Sequence, residues 1–550
     1  MQIIRNGFEK QAEILDKRMT PNDYTVELIK EQCAEESYKI EVNGNKINVY
    51  SADDLGMYYG IGKLLHSADY KNGFCPRATD GFVTPQCDFR GIYFAIHFYN
   101  WYHMATDDEL ENYLEELLLW GYNTVIGILP IINSTDEDDM VFRAGIDKLH
   151  KIAVAAKRYK MRFGLIFCLN QGFKNAPEAA NAQISFDLTY RGNLGRNLCP
   201  HKREAIEHMR GIWNAVFESF EDTGIDCLIT WPYDEGGCGC EKCRPWGKNG
   251  YPYIIEIFNA ELKKHFPKAE IIVSTWAFDM PVSEGEYEGL YEKLESELSF
   301  VDKLMIDSHF SFPQYPLNHG IIKPVINFPE ISMWGLAPWS GFGANPLPER
   351  FQRIWDSSKH ILSGGLPYSE GIYEDISKIQ CVGYYWNKNA KWQSILSEYV
   401  SYEISPEVVD EVLEIFELIE KNHVLVAEDN EPVLQYAQKA AELARKADNK
   451  LCERARSAWR WRLIYIRAVL DQKRYSRYFE TEDKNDKMRF VKLRHVSGNY
   501  LVDDDEAQAL FQELQVLYRS VPFNHENHHT LPPLNGTKGI AVGPNGLTVG

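Results

Sequence analysis

The stretch "LITWPYDEGGCGCEKCRPWG", residues 228–247, combines an apolar run, an adjacent pair of carboxylates, an adjacent pair of glycines and three cysteines. Asp234 and Glu235 directly follow the apolar run, which is typical of a buried strand. Neighbouring side chains of a strand point in opposite directions, but Gly236 and Gly237 permit a turn that lets both carboxylates reach one pocket. Two carboxylates in different surroundings can have separated pKa values, so that one is ionised while the other carries a proton. The pair therefore predicts general acid/base chemistry, with a helix N-cap or a solvated loop as the alternative.

Three cysteines follow the carboxylates in the spacing C-x-C-x-x-C: Cys238, Cys240 and Cys243. This spacing can place three thiolates around one tetrahedral zinc ion. We expect Cys199 to be the fourth ligand, with His201 behind it, because the loop after the preceding strand adjoins this one in a barrel. Four thiolates predict a structural zinc ion that braces the loop, whereas three would leave a position open for water. Reduced cysteines in a tight turn are the alternative, and we expect no organic cofactor.

The elements that must position these residues alternate between short apolar runs and amphipathic helical stretches from about residue 88 to residue 402. Eight apolar runs predict eight strands, at residues 90–97, 124–130, 163–170, 227–233, 270–276, 303–309, 324–329 and 361–368. Eight βα units of this length predict a (β/α)8 TIM barrel in the α/β class. In that fold the chemistry lies on the loops that follow the C-terminal ends of the strands.

Polar and aromatic residues gather at those strand ends. The residues expected to bind substrate are Arg90, His97, Asn100, Asn170, Trp276, Asp307, His309, Trp334 and Trp339. Gln171 and Glu330 occupy similar positions, and Trp386 joins the tryptophans that can form an apolar floor for a sugar ring or lie in the core. Glu370 follows the eighth strand, where it can face Glu235 as a second catalytic carboxylate or bind a neighbouring loop.

Two further domains flank the predicted barrel. Residues 1–85 contain alternating strands joined at Asn43-Gly44, which predicts a small N-terminal α/β domain. We place the barrel at residues 86–402. Residues 403–550 contain long helical segments such as "SPEVVDEVLEIFELIEK" and predict a helical C-terminal domain.

Composition limits the function classes. The chain has 550 residues, 44% of them hydrophobic, which predicts more than one folded core. No apolar run reaches the roughly 18 residues of a membrane helix, and the first residues do not resemble a secretory signal, so we expect a cytoplasmic protein. The net charge of −20 argues against nucleic acid or an anionic membrane as a partner and favours a neutral glycan. A homo-oligomer is compatible with the sequence.

The segment "ESYKIEVNGNKINVYSADDLGMYYGIGKLLHS" resembles the small N-terminal domain of β-N-acetylhexosaminidases, and Arg90-Gly91 at the start of the first barrel strand is similar to theirs. In that family an Asp-Glu pair ends strand four. The resemblance implies that Asp234 orients the 2-acetamido group of the substrate, which attacks the anomeric carbon, while Glu235 protonates the leaving oxygen. It implies a retaining enzyme with substrate-assisted catalysis. We expect exo action, since a cytoplasmic enzyme would act on imported oligosaccharides.

The sequence departs from the family pattern directly before the pair and in the first strand. "TWPY" precedes Asp234 where the family has His-x-Gly-Gly, and "AIHFYNW" stands in the first strand in place of the family's Asp and Arg. Related barrels, α-glucuronidase-like or endo-β-N-acetylglucosaminidase-like, are therefore alternatives that would use Glu235 and Glu370. A zinc-dependent hydrolase and a non-catalytic sugar-binding barrel are the remaining alternatives.

Overall fold

The structure is a computed structural model of the chain. It describes residues 2–19, 22–96, 101–129, 131, 134–183, 196–232, 237–279, 285–308, 311–331, 344–369, 371–423, 432–483, 503–518, 542–543 and 547–548.

The first elements form a four-stranded sheet with two helices packed against it. They are Gln2–Ile4 (β1), Glu9–Arg18 (α1), Thr25–Lys30 (β2), Tyr38–Asn43 (β3), Lys46–Ser51 (β4) and Asp54–His66 (α2). The strand order is β1-β2-β4-β3, and β3 and β4 run antiparallel on either side of Gly44, whose φ is 59°. The predicted turn at Asn43-Gly44 is confirmed. The N-terminal end of α2 is fixed by Asp53, whose side chain accepts a hydrogen bond from the Gly56 N–H.

Eight parallel strands then close into a barrel. The strands from here on are Phe89–Phe94 (β5), Thr124–Ile128 (β6), Arg162–Cys168 (β7), Gln171–Gly172 (β8), Arg196–Asn197 (β9), Cys227–Trp231 (β10), Glu270–Ser274 (β11), Lys303–Ser308 (β12), Val325–Pro329 (β13) and Leu362–Gly365 (β14). β8 and β9 form a separate antiparallel pair, and the other eight make up the barrel in chain order. The predicted (β/α)8 barrel is confirmed, and every predicted strand overlaps an observed one.

The barrel closes between β14 and β5, where a glycine is required. Gly364 pairs with Phe89 and has a φ of 152°. A Cβ atom at this position would lie 1.8 Å from the carbonyl oxygen of Phe89, so no larger residue fits without moving a strand.

Helices surround the barrel on the outside. They are Trp101–Met104 (α3), Asp107–Trp120 (α4), Met140–Arg158 (α5), Arg203–Glu218 (α6), Gly250–His265 (α7), Glu286–Ser296 (α8), Gln314–His319 (α9), Pro348–Ser358 (α10) and Asp375–Trp386 (α11). α4 shows how the sequence sets the bounds: Thr106 and Glu109 form a capping box, and the helix ends at Gly121, whose φ is 114°.

The remaining described elements are mostly helical. They are Trp392–Glu403 (α12), Val409–Lys421 (α13), Leu434–Lys450 (α14), Glu453–Arg456 (α15), Trp459–Glu480 (α16), Asp505–Tyr518 (α17) and the antiparallel pair Val542–Gly543 (β15) and Leu547–Thr548 (β16). Arg460 of α16 forms a buried ion pair with Asp375 at the start of α11, at 2.7 Å, which ties this helical region to the barrel. None of the described helices is long and apolar enough to cross a membrane. The domain boundaries near residues 85 and 402 stay predictions.

The inside of the barrel is filled by alternate residues of the strands, as the period of two along a strand requires. Small and aliphatic side chains such as Ile126, Ile229 and Ile272 fill the middle. Larger aromatic side chains, including Tyr93, Trp231, Phe328 and Tyr368, occupy the C-terminal ends of the strands. Aromatic rings therefore close the interior at the C-terminal ends of the strands, an end that we call the mouth of the barrel.

Candidate active site

The candidate active site lies at the C-terminal ends of the barrel strands, where the sequence predicts the chemistry. Several predicted residues lie outside the described residues: His97, Asn100, Asp234, Glu235, His309, Trp334, Trp339 and Glu370. Their roles stay predictions. The described residues that flank the Asp-Glu pair and position 370 make hydrogen bonds that are described below.

Five aromatic side chains from different strands form a continuous surface, which we call the aromatic floor: Tyr93, Trp231, Trp276, Phe328 and Tyr368. Trp231 and Trp276 are stacked, with ring centroids 5.1 Å apart and an interplanar angle of 26°. Phe328 meets the edge of Trp231 at 5.4 Å, and Tyr93 lies 5.1 Å from Tyr368. Trp276 is partly exposed, so the floor has an accessible face on which a sugar ring can stack.

Of these rings, only Trp276 is predicted from the sequence to contact substrate. Trp231 belongs to the "TWPY" segment that distinguishes this chain from the hexosaminidase pattern. The signal that could have found it is the period of two: Cys227, Ile229 and Trp231 share the inward face of β10. The same alternation points Phe328 inward from β13.

Two described carboxylates lie at the same end of the barrel. Asp307 is two residues beyond the inward-facing Met305 of β12, so the alternation places it on the inward side, and it is partly exposed. Glu330 is two residues beyond Phe328, forms a parallel bridge with Tyr368, and is only 1% exposed. A buried carboxylate beside an aromatic floor is a candidate for acid/base or nucleophilic chemistry.

Glu330 has a positively charged neighbour. Arg350 of α10 is buried, and its guanidinium donates a hydrogen bond to the main-chain oxygen of Glu330 at 3.5 Å. Burial lowers the pKa of Arg350 to about 10, while the negative charges of Glu330 and Glu420 oppose that shift. Arg350 therefore keeps its charge at neutral pH and places a fixed positive charge next to the end of β13.

The described residues on either side of the Asp-Glu pair are held by side chains from outside the segment. The Trp246 indole N–H donates to the Pro232 carbonyl oxygen at 2.7 Å. The Asn170 side chain donates to the Gly237 carbonyl oxygen at 2.9 Å and accepts from the Gly237 N–H at 3.0 Å. Asn170 is 1% exposed, so the structure brings it to the acid-bearing loop rather than into open contact with the mouth.

The loop after β14 is held by a buried polar cluster on both sides of position 370. The hydroxyl oxygens of Ser369 and Tyr102 are 2.6 Å apart, and Ser369 donates to Glu374 at 3.2 Å. The Lys378 ammonium group donates to the Gly371 carbonyl oxygen and, at 2.8 Å, to the Tyr102 hydroxyl. Burial lowers the pKa of Lys378 to about 8, and the nearby carboxylates raise it. The neighbours of position 370 are thus fixed by groups buried beneath the loop.

Arg90 and Trp386 do not reach the mouth. Arg90 is the second residue of β5, at the opposite end of the strand, and is fully buried. Its guanidinium forms an ion pair with Glu36 and donates to the Gly121 carbonyl oxygen at 2.7 Å. Trp386 ends α11, and its ring lies 5.1 Å from the Arg90 guanidinium. Both side chains lie at the end of the barrel opposite the mouth, so the expectation that Arg90 contacts substrate is wrong, and Trp386 takes the core position that the sequence left open.

The four predicted cysteines come together. The sulfur atoms of Cys199, Cys238, Cys240 and Cys243 all lie within 4.8 Å of one another. The Cys199 sulfur is 3.8 Å from that of Cys240 and 3.9 Å from that of Cys243. A zinc–sulfur bond of about 2.3 Å places two ligands of a tetrahedron about 3.8 Å apart, so this donor set and its spacing fit a zinc ion. The cluster can hold a metal ion.

The surroundings of the cluster favour a closed site. Cys199, Cys238 and Cys243 are buried, and no cysteine of the described chain is in a disulfide. Hydrogen bonds from Cys199 and Cys243 hold the pKa of the Cys238 thiol well below its usual value. His201 is not one of the four; its ring stacks on Tyr253 at 4.4 Å.

The fold is similar to those of solved glycoside hydrolases. One is a GH138 enzyme targeting pectin rhamnogalacturonan II, with a TM-score of 0.59, 11% identity, and coverage of 94% of this chain and 73% of the other. Another is a family 89 glycoside hydrolase from Clostridium perfringens in complex with its substrate GlcNAc-α-1,4-galactose, with a TM-score of 0.59, 11% identity, and coverage of 92% and 64%. A third is a family 20 β-N-acetylglucosaminidase, with a TM-score of 0.51, 11% identity, and coverage of 73% and 92%.

At this level of identity the similarity concerns the fold. The chain spans 73% of the length of the first of these enzymes and 64% of the length of the second. No protein-family model matches the sequence, and the search of curated protein sequences finds no match.

Proposed function

We propose that the protein is a glycoside hydrolase that acts on a glycan containing an amino sugar. The main support is the aromatic floor at the C-terminal end of the barrel, with Glu330 buried beside it and the pair Asp234-Glu235 following β10 in the sequence. An aromatic surface binds the apolar face of a sugar ring, and carboxylates supply the proton transfers of glycoside hydrolysis. An amino sugar is favoured because two similar folds are those of a β-N-acetylglucosaminidase and an enzyme bound to GlcNAc-α-1,4-galactose.

In the preferred mechanism the enzyme is an exo-β-N-acetylhexosaminidase. Glu235 donates a proton to the glycosidic oxygen as the bond to the anomeric carbon breaks. The acetamido oxygen of the substrate, oriented by Asp234, attacks that carbon and forms a cyclic intermediate. Glu235 then removes a proton from the water that opens the ring, and the anomeric configuration is retained.

Glu330 favours a second mechanism, in which two protein carboxylates act with no help from the acetamido group. Glu235 would remain the acid, and Glu330 or Glu370 would be the nucleophile or the base. A separation of about 5 Å between the two carboxyl groups corresponds to retention, and about 6.5–9.5 Å to inversion. The buried position of Glu330 at the end of β13 supports it as the partner.

The test is hydrolysis of nitrophenyl glycosides, including both anomers of the N-acetylglucosaminide, by the wild type and four variants: Glu235→Gln, Asp234→Asn, Glu330→Gln and Glu370→Gln. Loss of the general acid should cost about 10²- to 10⁴-fold in kcat on a substrate with a poor leaving group. Glu207→Gln is the matched control, since the Glu207 side chain is 59% exposed on α6. Near-normal turnover by Glu235→Gln on an alkyl glycoside, whose leaving group needs a proton, would remove Glu235 from the acid role.

The two mechanisms give different results. In the acetamido-assisted mechanism, Asp234→Asn impairs N-acetyl substrates selectively, and a thiazoline analogue of the cyclic intermediate inhibits the wild type. In the two-carboxylate mechanism, turnover on sugars with and without the acetamido group is abolished by Glu330→Gln if Glu330 is the second carboxylate, and by Glu370→Gln if Glu370 is. Glycan binding without turnover on any glycoside would instead support a non-catalytic sugar-binding barrel.

We also propose that the four cysteines hold one structural zinc ion. When bound, such an ion supplies folding free energy to the loops and no Lewis-acid step, because four thiolates leave no open position. The main support is that the distances between the sulfur atoms fit a tetrahedral site. The site would brace the loop that contains the Asp-Glu pair, since its ligand Cys238 is three residues after Glu235.

Metal analysis of protein purified without chelator should give one zinc ion per chain. Chelation should lower the melting temperature before it lowers activity measured at a temperature well below melting. Cys243→Ser should lose the ion, whereas Cys452→Ser, at an exposed cysteine outside the cluster, should retain it. Absence of stoichiometric metal would reject the site, and an ion held by three cysteines and exchangeable water would favour a zinc-dependent hydrolase.

A further inference from the structure

Asn170 lies where the barrel meets the two segments that carry the cysteine cluster, one with Cys199 and the other with Cys238, Cys240 and Cys243; we call these segments the cysteine arms. It follows β7, and its side-chain amide makes three hydrogen bonds, all to the main chain of other loops. The Nδ2 group donates to the Leu198 carbonyl oxygen at 3.0 Å and to the Gly237 carbonyl oxygen at 2.9 Å. The Oδ1 atom accepts from the Gly237 N–H at 3.0 Å. Both hydrogens of the amide are therefore used.

The two partners of Asn170 directly precede two of the cysteines. Leu198 precedes Cys199, and Gly237 precedes Cys238. A further hydrogen bond, from the Leu198 N–H to the Asn170 carbonyl oxygen at 2.7 Å, fixes the first arm to the main chain of the same residue. Asn170 thus connects strand β7 to both segments that carry the sulfur ligands.

Gly237 is also two residues from Glu235 in the sequence, and its φ of 101° is favourable for glycine alone. The paired bonds to its N–H and carbonyl oxygen fix both peptide groups of Gly237 relative to β7. At the other side of residues 233–236, Trp246 holds the Pro232 carbonyl oxygen at 2.7 Å. The segment that contains the Asp-Glu pair is therefore anchored at each end by a buried side chain.

We propose that Asn170 is a positioning residue that holds the acid-bearing loop and the cysteine cluster in one rigid unit. The proposal rests on the proposed role of Glu235 as the general acid and, for its second readout, on the proposed zinc ion. A carboxamide is the side chain this site requires, because one group must donate twice and accept once within a single plane. A carboxylate would accept only, and would set a negative charge against two carbonyl oxygens.

The test compares Asn170→Asp and Asn170→Ser with Asn112→Asp, which makes the same chemical change on the exposed surface of α4. The activity readout is the dependence of kcat/KM on the leaving group. A misplaced acid matters most when the leaving group needs a proton, so both Asn170 variants should lose at least about 10²-fold with an alkyl leaving group. With a dinitrophenyl leaving group the loss should be less than about tenfold, and KM should change little.

The second readout does not need activity. Zinc transfer from the protein to a chromophoric chelator should be at least about tenfold faster in the Asn170 variants than in Asn112→Asp, because the cysteine arms lose their shared anchor. Asn170→Ser has a smaller side chain and no added charge. If Asn170→Asp does not fold, Asn170→Ser alone tests whether Asn170 positions the acid-bearing loop and the cysteine arms.

The outcomes separate this proposal from the proposed function. Equal losses for all leaving groups, with zinc transfer unchanged, would overturn the positioning role. A raised KM with unchanged kcat would return Asn170 to the substrate-binding role that the sequence suggests. If the wild type hydrolyses no glycoside, the proposed function fails, and the zinc-transfer rates still decide whether Asn170 holds the cysteine arms.

Discussion

Arg90 provides a test of how the N-terminal sheet is joined to the barrel, through its replacement by alanine. The guanidinium donates to the carbonyl oxygens of Gly121 at 2.7 Å and Cys87 at 2.8 Å and forms an ion pair with Glu36. It packs against two aromatic rings that also contact each other, those of Tyr59 at 5.3 Å and Trp386 at 5.1 Å. A single side chain therefore holds the segment before β3, the start of β5 and the end of α4.

The magnitude follows from what Arg90→Ala would leave behind. Removing one partner of a buried ion pair costs about 3–5 kcal/mol, since the other charge loses its compensation. Each carbonyl oxygen left without a donor adds about 1–3 kcal/mol when water cannot reach it. Glu36 is 24% exposed and can regain water, and these costs are not additive, so we expect a loss of about 4 kcal/mol in the free energy of unfolding.

Urea unfolding followed by tryptophan fluorescence measures this loss. Arg203→Ala is the matched control, because the Arg203 side chain is 85% exposed on α6 and its loss should cost less than about 0.5 kcal/mol. Arg90→Lys should fall between the two, since one ammonium group cannot serve acceptors spread along a planar fork. A loss below about 1 kcal/mol for Arg90→Ala, or a raised KM with unchanged stability, would refute the structural role.

Two further predictions concern pH and the aromatic floor. Burial raises the pKa of Glu420 to about 7, so the folded protein binds more protons than the unfolded chain between pH 4.5 and 7, and stability should fall as pH rises through that window. Glu420→Gln should remove up to about 2 kcal/mol of this pH dependence in urea titrations at pH 5 and pH 7, and an unchanged difference between the two pH values would contradict the assignment. Trp276→Ala should raise KM about tenfold with little change in kcat, because the stacking contributes about 1–1.5 kcal/mol of binding. Initial-rate kinetics with Trp459→Ala as control measure this change, and an unaltered KM would exclude Trp276 from the floor that holds the substrate.

The amino-acid sequence by itself determines the architecture of the barrel. The apolar run that starts at Cys227 is a strand because its residues alternate between the interior and the surrounding helices, both of which are apolar. α4 begins and ends where Thr106, Glu109 and Gly121 satisfy the ends of the helix. Such signals are local, since they depend on periodicity and on hydrogen bonds between residues close in the chain. They can therefore be recognised in the sequence without the tertiary structure.

The candidate cysteine site was predictable for a related reason. The three cysteines of the C-x-C-x-x-C motif are close in the chain, and the topology of a barrel places the loop that contains Cys199 beside them. The signal for Glu330 was weaker. Its position after the seventh barrel strand is visible in the sequence, but its burial depends on Arg350 and Tyr368, which come from other elements.

Only the tertiary structure decided which side chains reach the mouth. Arg90 and Asn170 were both expected to bind substrate. Arg90 instead forms an ion pair with Glu36 at the end of the barrel opposite the mouth, and Asn170 accepts a hydrogen bond from the Gly237 N–H. Trp231 was missed, although it stacks on Trp276 to form the centre of the aromatic floor. The physical reason is that hydrogen bonds and ring contacts between residues far apart in the chain form only after the strands have closed. A side chain's residue type shows what it can bind, whereas its actual partners depend on which end of the barrel it occupies.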